Sequence, residues 1–302
     1  LGFYFDISDK RGFIGGRFHN DHFGFTPGWS TYNGPSSYGV PAYVQIMLYA
    51  SYRIGAFFAR IWGDENLFEC YSAHSDKLKR NIIDCFWDND RKAFINGIMD
   101  DLETEDMRIS HHAQYWAILA GLFPEDDYDN LFDNILPALP KYYDIVSYEK
   151  GYEFIAYSKA GRINQMWDYI VRVFGDWMLQ GHTRFPENFS PGASKQEQNM
   201  FYGRPYGLSL CHGANGAPVV ICVLNGILGF SYSTSPDYDY VIRPDLLHLN
   251  TVEACFPVKE GMVRLNLNAD AESSVEVPDN CRCKLVTEHE SRIFEGKISF
   301  IL

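Results

Sequence analysis

The feature that most constrains the fold is a change in hydrophobic periodicity near residue 230. Before it, apolar residues recur at intervals of three and four along residues 40–62, 65–86, 110–122, 128–139, 151–160, 164–180 and 214–228. This spacing places the apolar side chains on one face of a helix. Short polar connections between several of these segments predict antiparallel helical hairpins. A train of such hairpins is the pattern expected of an (α/α) toroid, preceded here by a loop-rich lead-in over residues 1–40.

Beyond Phe230 the pattern alternates between polar and apolar residues. The alternating segments are residues 240–244, 251–255, 262–267, 274–277 and 297–300, with turn residues between them. Alternation of this kind predicts the strands of a small antiparallel β-sandwich. The predicted fold class is therefore mainly α with a C-terminal all-β domain. We expect a helical domain over residues 1–235 and the sandwich over residues 236–302.

Charge and composition exclude several classes of partner. The formal net charge is -13 and no basic run occurs, which argues against binding to nucleic acid or to an anionic membrane surface. No apolar run approaches the ~20 residues of a membrane span. Aromatic residues make up 16% of the chain. Such an excess suits stacking against sugar rings, although most of these side chains are expected in the core.

The cysteines predict neither disulfides nor a metal site. Their number is odd, and they are scattered through apolar surroundings at positions 70, 85, 211, 222, 255, 281 and 283. This distribution predicts buried thiols. Cys281 and Cys283 lack the second pair of ligands that a zinc site needs. His19, Asp21 and His22 give only a weak metal signal. We expect no metal and no cofactor.

One stretch, residues 183–216, contains several side chains of types that are common in active sites. Glu187 lies close to Arg184 and to aromatic residues, and His212 begins a glycine-rich segment that leads into the last predicted helix. Both residues are expected on loops at helix mouths, where a rigid scaffold can direct polar groups into a cavity. Simpler interpretations stay open: Glu187 as a helix cap, and His212 as a buried histidine that holds a turn.

Several short motifs resemble those of the inverting α-L-rhamnosidase family. They are HHAQYWAILAGL at 111–122, FPE at 185–187, SLCHG at 209–213, LGF at 228–230 and YVIRPD at 240–245. The family has an (α/α)6 barrel followed by a β-sandwich. The resemblance implies that Glu187 occupies the position of the catalytic base and that His212 lies on the family's histidine-bearing loop.

The implied chemistry is hydrolysis with inversion of a terminal α-L-rhamnose or a related sugar. It requires two carboxyl groups ~6.5–9.5 Å apart, one acidic and one basic. Glu187 would activate water, Arg184 would keep it ionised, and His212 would hold the water or a sugar hydroxyl. Phe25 and Trp29 are candidates for a sugar platform, with packing on the first long helix as the equal alternative.

The resemblance is incomplete in three respects. The family's general acid lies upstream of the matching region, the predicted helices are fewer than a full barrel contains, and Asn188 and Phe189 stand where a tryptophan is usual. Four loop carboxylates, Asp21, Asp100, Asp101 and Glu103, are available as acids, and none is favoured. The acidic run MDDLETED is expected to be solvated surface. We expect either a second copy or an N-terminal segment to complete the barrel.

Three functions remain open at this point. The first is a glycosidase, for which a periplasmic or secreted location is favoured over the cytoplasm. A second is a carbohydrate-binding module that has lost the carboxylate pair. The third is a polysaccharide lyase, for which Arg204, Tyr206 and His212 supply suitable residue types. Tyr206 is counted among the candidate substrate-binding residues. Fold analogy alone does not separate these functions.

Overall fold

A computed structural model describes residues 2–15, 39–139, 147–181, 185, 216–233 and 235–302. The chain forms two compact units, Leu1–Ile145 and Val146–Leu302. The predicted domain division at residue 235 stays a prediction.

The first unit is built mainly from helices. They are α1 (Gly2–Ile7), α2 (Ala42–Trp62), α3 (Glu65–Phe86) and α4 (His111–Ala120), followed by a 3-10 turn (Glu125–Asp127), α5 (Tyr128–Asn130), a π-helical turn (Leu131–Ile135) and α6 (Leu136–Ala138). The longest two form a tight hairpin. Gly63 ends α2 with a left-handed φ of 74°, and the Asp64 carboxylate accepts from the Leu67 N–H to cap α3. Glycine and aspartate are the residues that these two positions favour.

Short strands link the helices of this unit. β1 (Val40–Pro41), β4 (Gly97–Ile98) and β5 (Glu105–Asp106) form one sheet in the order β1-β4-β5, and β2 (Trp87–Asp88) pairs with β3 (Ala93–Phe94). Gly97 has a φ of 139°, and a Cβ there would lie 2.1 Å from the Val40 carbonyl oxygen. Only glycine therefore lets β4 approach β1.

In the described part of the second unit, helical segments precede the β-region. They are α7 (Ser147–Lys159), α8 (Ile163–Tyr169), α9 (Asp176–Leu179) and α10 (Ala217–Ile221), with a π-helical turn (Ile170–Gly175) joining α8 to α9 and another (Cys222–Ile227) continuing α10. A Cβ on Gly151 would lie 2.9 Å from Ile221, so α7 packs closely against α10. Phe154, Met166 and Cys222 are fully buried in the core between these helices.

Two four-stranded sheets complete the second unit. Their strands are β6 (Phe230–Tyr232), β7 (Tyr240–Ile242), β8 (Thr251–Val258), β9 (Gly261–Asn268), β10 (Ser273–Glu276), β11 (Arg282–Val286), β12 (Ser291–Glu295) and β13 (Lys297–Phe300). The sheet orders are β13-β10-β9-β8 and β12-β11-β7-β6. Buried residues of both sheets belong to one hydrophobic cluster, which includes Ile242, Leu265 and Leu285.

The passage from helix to sheet depends on Gly229. Its φ is 61°, and a Cβ there would lie 1.7 Å from the Arg243 carbonyl oxygen. The Arg243 N–H donates to the Gly229 carbonyl at 3.1 Å. Any side chain at this position would displace the strand that runs beside it, because both the φ angle and the space require glycine.

The predicted fold class is confirmed: helical hairpins precede a β-rich region. The seven predicted helices correspond to observed helical segments, three of them interrupted by π-helical turns. Strands β6, β11 and β12 were not predicted, and β11 pairs with β7 in parallel, so one pairing departs from the antiparallel expectation.

The cysteine prediction holds for part of the set. Cys222, Cys281 and Cys283 are buried free thiols, whereas Cys70 and Cys85 are half-buried. Cys255 is exposed, contrary to expectation, because it occupies an outward position of β8. Burial raises the pKa of Cys222 to about 11 and that of Cys283 to about 12. Cys211 lies outside the described residues.

Candidate active site

The residues predicted for the active site lie outside the described part of the chain. These are Phe25, Trp29, Arg184, Glu187, Tyr206 and His212, together with His19, Asp21 and His22 of the weak metal signal. Their roles stay predictions. Among the described residues, no group of three or more His, Cys, Asp and Glu side chains could hold a metal ion.

The described residues that flank Glu187 and His212 meet each other. Phe185 precedes residues 186–215, and Gly216 follows them. A Cβ on Gly216 would lie 2.8 Å from Cε2 of the Phe185 ring, so the ring rests against the glycine backbone. The Phe185 ring also lies 5.8 Å from that of Phe174. The stretch that carries both predicted catalytic residues thus begins and ends at one place.

An aromatic cluster lies beside this meeting point. The rings of Phe174 and Tyr169 are 6.3 Å apart, and those of Tyr169 and Phe154 are 5.6 Å apart. Trp177, one turn beyond Phe174, is also buried. The π-helical turn between α8 and α9 brings Phe174 into this cluster. Such turns are frequent at functional sites in proteins.

Three polar side chains of α7 lie next to the aromatic cluster and contact it through the Tyr169 ring. The Lys150 ammonium donates to Glu153 Oε2 at 2.6 Å, and the Tyr157 hydroxyl donates to Glu153 Oε1 at 2.7 Å. Lys150 Nζ also lies 5.3 Å from the centroid of the Tyr169 ring. We call Lys150, Glu153 and Tyr157 the charged triad. Helical spacing of three and four residues places these side chains on one face of α7.

The charged triad is poorly accessible to solvent. The side chains of Lys150 and Glu153 are 13% and 8% exposed. Burial, and then the charge of Glu153, raise the pKa of the Tyr157 hydroxyl well above its ordinary value. Tyr157 therefore keeps its proton and donates it to a hydrogen bond. Both Glu153 oxygens act as acceptors, which is the arrangement of a carboxylate and not of a proton donor.

The first unit has its own buried polar group, at the start of α4. Asp106, Ser110 and His112 are each less than 5% exposed, as are Tyr43 and Asn96. The His112 and Tyr43 rings are 5.7 Å apart. We call these five residues the helix-mouth cluster. Sequence reasoning missed it, because His112 entered only through the family resemblance and Asp106 was assigned to a solvated acidic run.

An ion pair with Arg108 compensates the burial of Asp106. Arg108 Nε and Nη2 donate to the two carboxylate oxygens at 2.8 and 2.6 Å. Burial alone would raise the pKa of the Asp106 carboxyl, but the hydrogen bonds from Arg108 outweigh burial and hold the pKa below its ordinary value. Asp106 is therefore ionised at neutral pH and unsuited to the role of a general acid.

The three described candidates for the acid lie on the turn between β4 and β5. The Asp101 carboxylate accepts from the backbone N–H of Glu103 at 3.0 Å and of Thr104 at 2.8 Å. Both Asp101 and Glu103 are exposed, and Asp100 is half-buried. This is the geometry of a side chain that stabilises its own turn. The prediction of a solvated run is thus correct for Asp101 and Glu103 and wrong for Asp106, where the run enters the core.

A repeated glutamine motif fixes the starts of α2 and α4. Gln45 Oε1 accepts from the Ile14 N–H at 2.9 Å, while its Nε2 donates to the carbonyls of Ile14 at 2.7 Å and Pro41 at 3.1 Å. Gln114 makes the same three bonds, with the same lengths, to Phe94 and Ser110. Each glutamine is the fourth residue of its helix and is fully buried. Tyr43 and His112 therefore occupy equivalent positions in two copies of one helix start.

We compared the sequence and the structure of this chain with those of known proteins. No protein-family model and no curated protein matches the sequence. Among the described residues, no helix is long and apolar enough to cross a membrane. Solved structures, however, match the fold.

A GH78 family rhamnosidase of Bacillus sp. GL1 superposes with a TM-score of 0.67 at 19% identity, over 95% of this chain and 30% of that one. A rhamnosidase from Klebsiella oxytoca with rhamnose bound gives a TM-score of 0.53 at 17% identity, over 72% and 39%. An α-L-rhamnosidase from Aspergillus terreus gives 0.58 at 15% identity, over 86% and 29%. The chain thus spans about a third of the length of these proteins, and over that span it has the fold of an α-L-rhamnosidase.

Proposed function

We propose that the protein is a glycoside hydrolase that removes terminal α-L-rhamnose, or a related sugar, from glycans or glycosides with inversion at the anomeric carbon. The observation that carries the proposal is the likeness of 95% of the chain to a GH78 rhamnosidase. One of the similar structures holds rhamnose. In this proposal, residues 1–235 are the catalytic domain and residues 236–302 the accompanying β-sandwich.

Glu187 is proposed as the base and His212 as the residue that holds the water or a sugar hydroxyl. The contact between Phe185 and Gly216 supports this pairing. Glu187 is two residues beyond Phe185, and His212 is four residues before Gly216. At ~3.6 Å per residue, chain length limits their Cα atoms to within ~7 and ~14 Å of those two anchors. We propose that both side chains contribute to one site beside this contact.

The remaining predicted residues take supporting roles. Arg184 favours the ionised form of Glu187 if it lies within a few ångströms of it. Tyr206, Phe25 and Trp29 are proposed to contact the sugar, the rings through their faces. The proposed reaction uses no cofactor. Its general acid is a carboxyl other than Asp106 and Glu153, since both of these are held as hydrogen-bond acceptors.

The test is the release of 4-nitrophenol from 4-nitrophenyl α-L-rhamnoside by the protein and by Glu187→Gln. The amide keeps the shape of the side chain but cannot take a proton from water, so turnover should fall at least ~10²-fold with little change in substrate binding. Azide should partly restore the rate and give a glycosyl azide of inverted configuration. Glu272→Gln, at an exposed position between β9 and β10, is the matched control and should keep full turnover.

Other outcomes would favour the other two functions. Rhamnose binding without turnover, in the protein and in Glu187→Gln alike, would support a carbohydrate-binding module. Cleavage of a uronate polymer to an unsaturated, ultraviolet-absorbing product would support a lyase. Near-normal turnover by Glu187→Gln would refute the assignment of the base.

A further inference from the structure

The charged triad of α7 is a polar group that the stability of the fold does not explain. The side chains of Lys150 and Glu153 are 13% and 8% exposed. Tyr169, whose ring the ammonium faces, belongs to an apolar core together with Phe154 and Met166. Taking two charges out of water costs about as much free energy as their attraction returns, so apolar residues of similar volume would serve the fold equally well. We therefore looked for a function of the ion pair.

The Lys150 ammonium has more hydrogen-bond donors than partners. It carries three N–H bonds. One of them donates to Glu153 Oε2 at 2.6 Å, and the cation lies 5.3 Å from the centroid of the Tyr169 ring. Within the described ranges of the chain, no other oxygen accepts a hydrogen bond from Lys150 Nζ. An ammonium that is largely buried and has an unused donor favours an acceptor oxygen supplied by a ligand.

Three aromatic rings connect the ammonium to the residues that flank the proposed site. Lys150 faces the ring of Tyr169, which lies 6.3 Å from the ring of Phe174. The Phe174 ring lies 5.8 Å from that of Phe185, and Phe185 contacts Gly216. The ammonium therefore belongs to the same group of contacts as the two anchors of residues 186–215.

The backbone of α7 leads to the same place. Gly151 follows Lys150 directly, and a Cβ on Gly151 would lie 4.0 Å from the Cβ of Ala217. Ala217 is the first residue of α10 and follows Gly216. The turn of α7 that carries Lys150 therefore lies against the start of α10. Two separate sets of contacts thus place Lys150 beside the proposed site.

The charges around the ammonium favour a ligand without charge. Glu153 balances the charge of Lys150, so the ion pair as a whole is neutral. A carboxylate ligand would be attracted by Lys150 but repelled by Glu153, and the net charge of -13 on the chain adds to that repulsion. A sugar hydroxyl accepts a hydrogen bond from an ammonium and meets no such repulsion. The donor therefore suits a neutral sugar better than a uronate.

We propose that Lys150, held by its ion pair with Glu153, donates a hydrogen bond to a hydroxyl group of a neutral sugar. Lys150 is then a substrate-binding residue that contributes to specificity. The inference rests on the proposed function and narrows it, because it selects rhamnose and other neutral sugars over uronates.

Calorimetric titration of the protein with L-rhamnose tests the proposal. Lys150→Met should weaken binding about 10–100-fold, the loss expected for one hydrogen bond from a charged donor. Lys79→Met, at an exposed position of α3, makes the same chemical change and should leave binding unaltered. Because Lys150→Met leaves the Glu153 carboxylate without its cation, the triple variant Lys150→Met, Glu153→Leu, Tyr157→Phe is titrated beside it. The triple variant buries no charge and should show the same loss of binding.

Sugar derivatives separate a direct contact from a structural role. Each monodeoxy derivative of methyl α-L-rhamnoside lacks one hydroxyl group. One of them should bind with equal affinity to the wild type and to Lys150→Met, because the derivative and the variant each remove one partner of the same hydrogen bond. If Lys150 acted only through the fold, Lys150→Met would weaken the binding of every derivative by the same factor, and that result would overturn the proposal.

The outcomes distinguish this inference from the proposed hydrolase activity. Equal binding of L-rhamnose by the wild type and the triple variant, no binding of L-rhamnose by the wild type, or tighter binding of D-glucuronate would each overturn the inference. Binding of L-rhamnose that depends on Lys150, without release of 4-nitrophenol from the aryl rhamnoside, would refute the hydrolase and support the inference. Release of 4-nitrophenol with the same kcat/KM in the wild type and Lys150→Met would support the hydrolase and refute the inference.

Discussion

The two units stabilise buried polar groups in different ways. In the first unit, Gln45 and Gln114 bond to backbone N–H and C=O groups of extended segments. In the second, Lys150, Glu153 and Tyr157 bond to one another. The first arrangement is neutral and joins separate parts of the chain, whereas the second is ionic and lies on one helix.

This difference determines which substitutions each arrangement can accept without loss of stability. Backbone groups remain after any substitution, so removal of a glutamine leaves buried donors and acceptors that no second mutation can take away. Side chains can be exchanged together, so a buried ion pair can be replaced by apolar residues of similar volume. The glutamines are therefore expected to be essential to the fold, and the charged triad to be replaceable unless function requires it.

The largest expected effect is that of Gln114→Ala. It removes three hydrogen bonds and leaves buried backbone groups of Phe94 and Ser110 without their partner, which should lower the free energy of unfolding by about 4 kcal/mol. Chemical denaturation measures the change. Gln180→Ala is the control, because Gln180 makes an exposed bond to Asp176 and should cost no more than ~0.5 kcal/mol. Similar losses in the two variants would contradict the role of Gln114.

Glu153→Leu should have the next largest effect. It leaves the Lys150 ammonium buried without its carboxylate, at a cost of about 3 kcal/mol. The triple variant Lys150→Met, Glu153→Leu, Tyr157→Phe should recover most of this loss, because no charge then remains buried. If the triple variant is as unstable as Glu153→Leu alone, the triad is not replaceable and the contrast with the glutamines fails.

Arg108→Met should destabilise the first unit in a way that depends on pH. The pKa of Asp106 is lowered in the folded protein, so the carboxylate contributes stability above its unfolded pKa, and this contribution is lost as pH falls through the folded value. Without Arg108, burial would raise the pKa instead. The variant should therefore lose about 2 kcal/mol near neutral pH and progressively less towards pH ~3. A difference from the wild type that stays constant between these pH values would refute the account.

The smallest effect is expected at the exposed counterpart of that pair. Arg91 Nε donates to Asp88 Oδ2 at 2.6 Å, but the Asp88 side chain is 13% exposed, whereas that of Asp106 is 4% exposed. Arg91→Ala should change the free energy of unfolding by no more than ~0.5 kcal/mol, since exposed ion pairs contribute little. Thermal unfolding at low and high salt measures it. A loss as large as that of Arg108→Met would show that burial does not distinguish the two pairs.

The sequence was sufficient for the elements whose cause is local. α2 and α3 follow from a sustained apolar period and from Gly63 and Asp64 at their junction. β8 and β9 follow from alternation. In contrast, β12 has no buried residue, so it carries no alternating signal. β11 does alternate in burial and was missed, but its parallel pairing with the distant β7 has no local sequence signal.

The hydrogen bonds of the two buried glutamines were not predicted, because their partners are also distant in the sequence. Gln45 bonds to a residue 31 positions away and Gln114 to one 20 positions away. Nothing in the local sequence around either glutamine indicates the partner. The equivalence of the two helix starts becomes visible only when Pro41 and Ser110 are aligned. The prediction of Glu187 and His212 rested on loop chemistry and resemblance, and it stays a prediction.

The repeated glutamine also limits how these hairpins can change in evolution. The side chain reaches a single extended residue, and it does so from a fixed position four residues into the helix. Insertion of one residue before it would rotate the amide by about 100° around the helix axis and away from its strand. Length variation should therefore accumulate in the connecting turns, such as residues 99–104, while the interval from helix start to glutamine stays constant. The constant spacing between the helix start and the glutamine can therefore be used to recognise further copies of the hairpin in distantly related sequences.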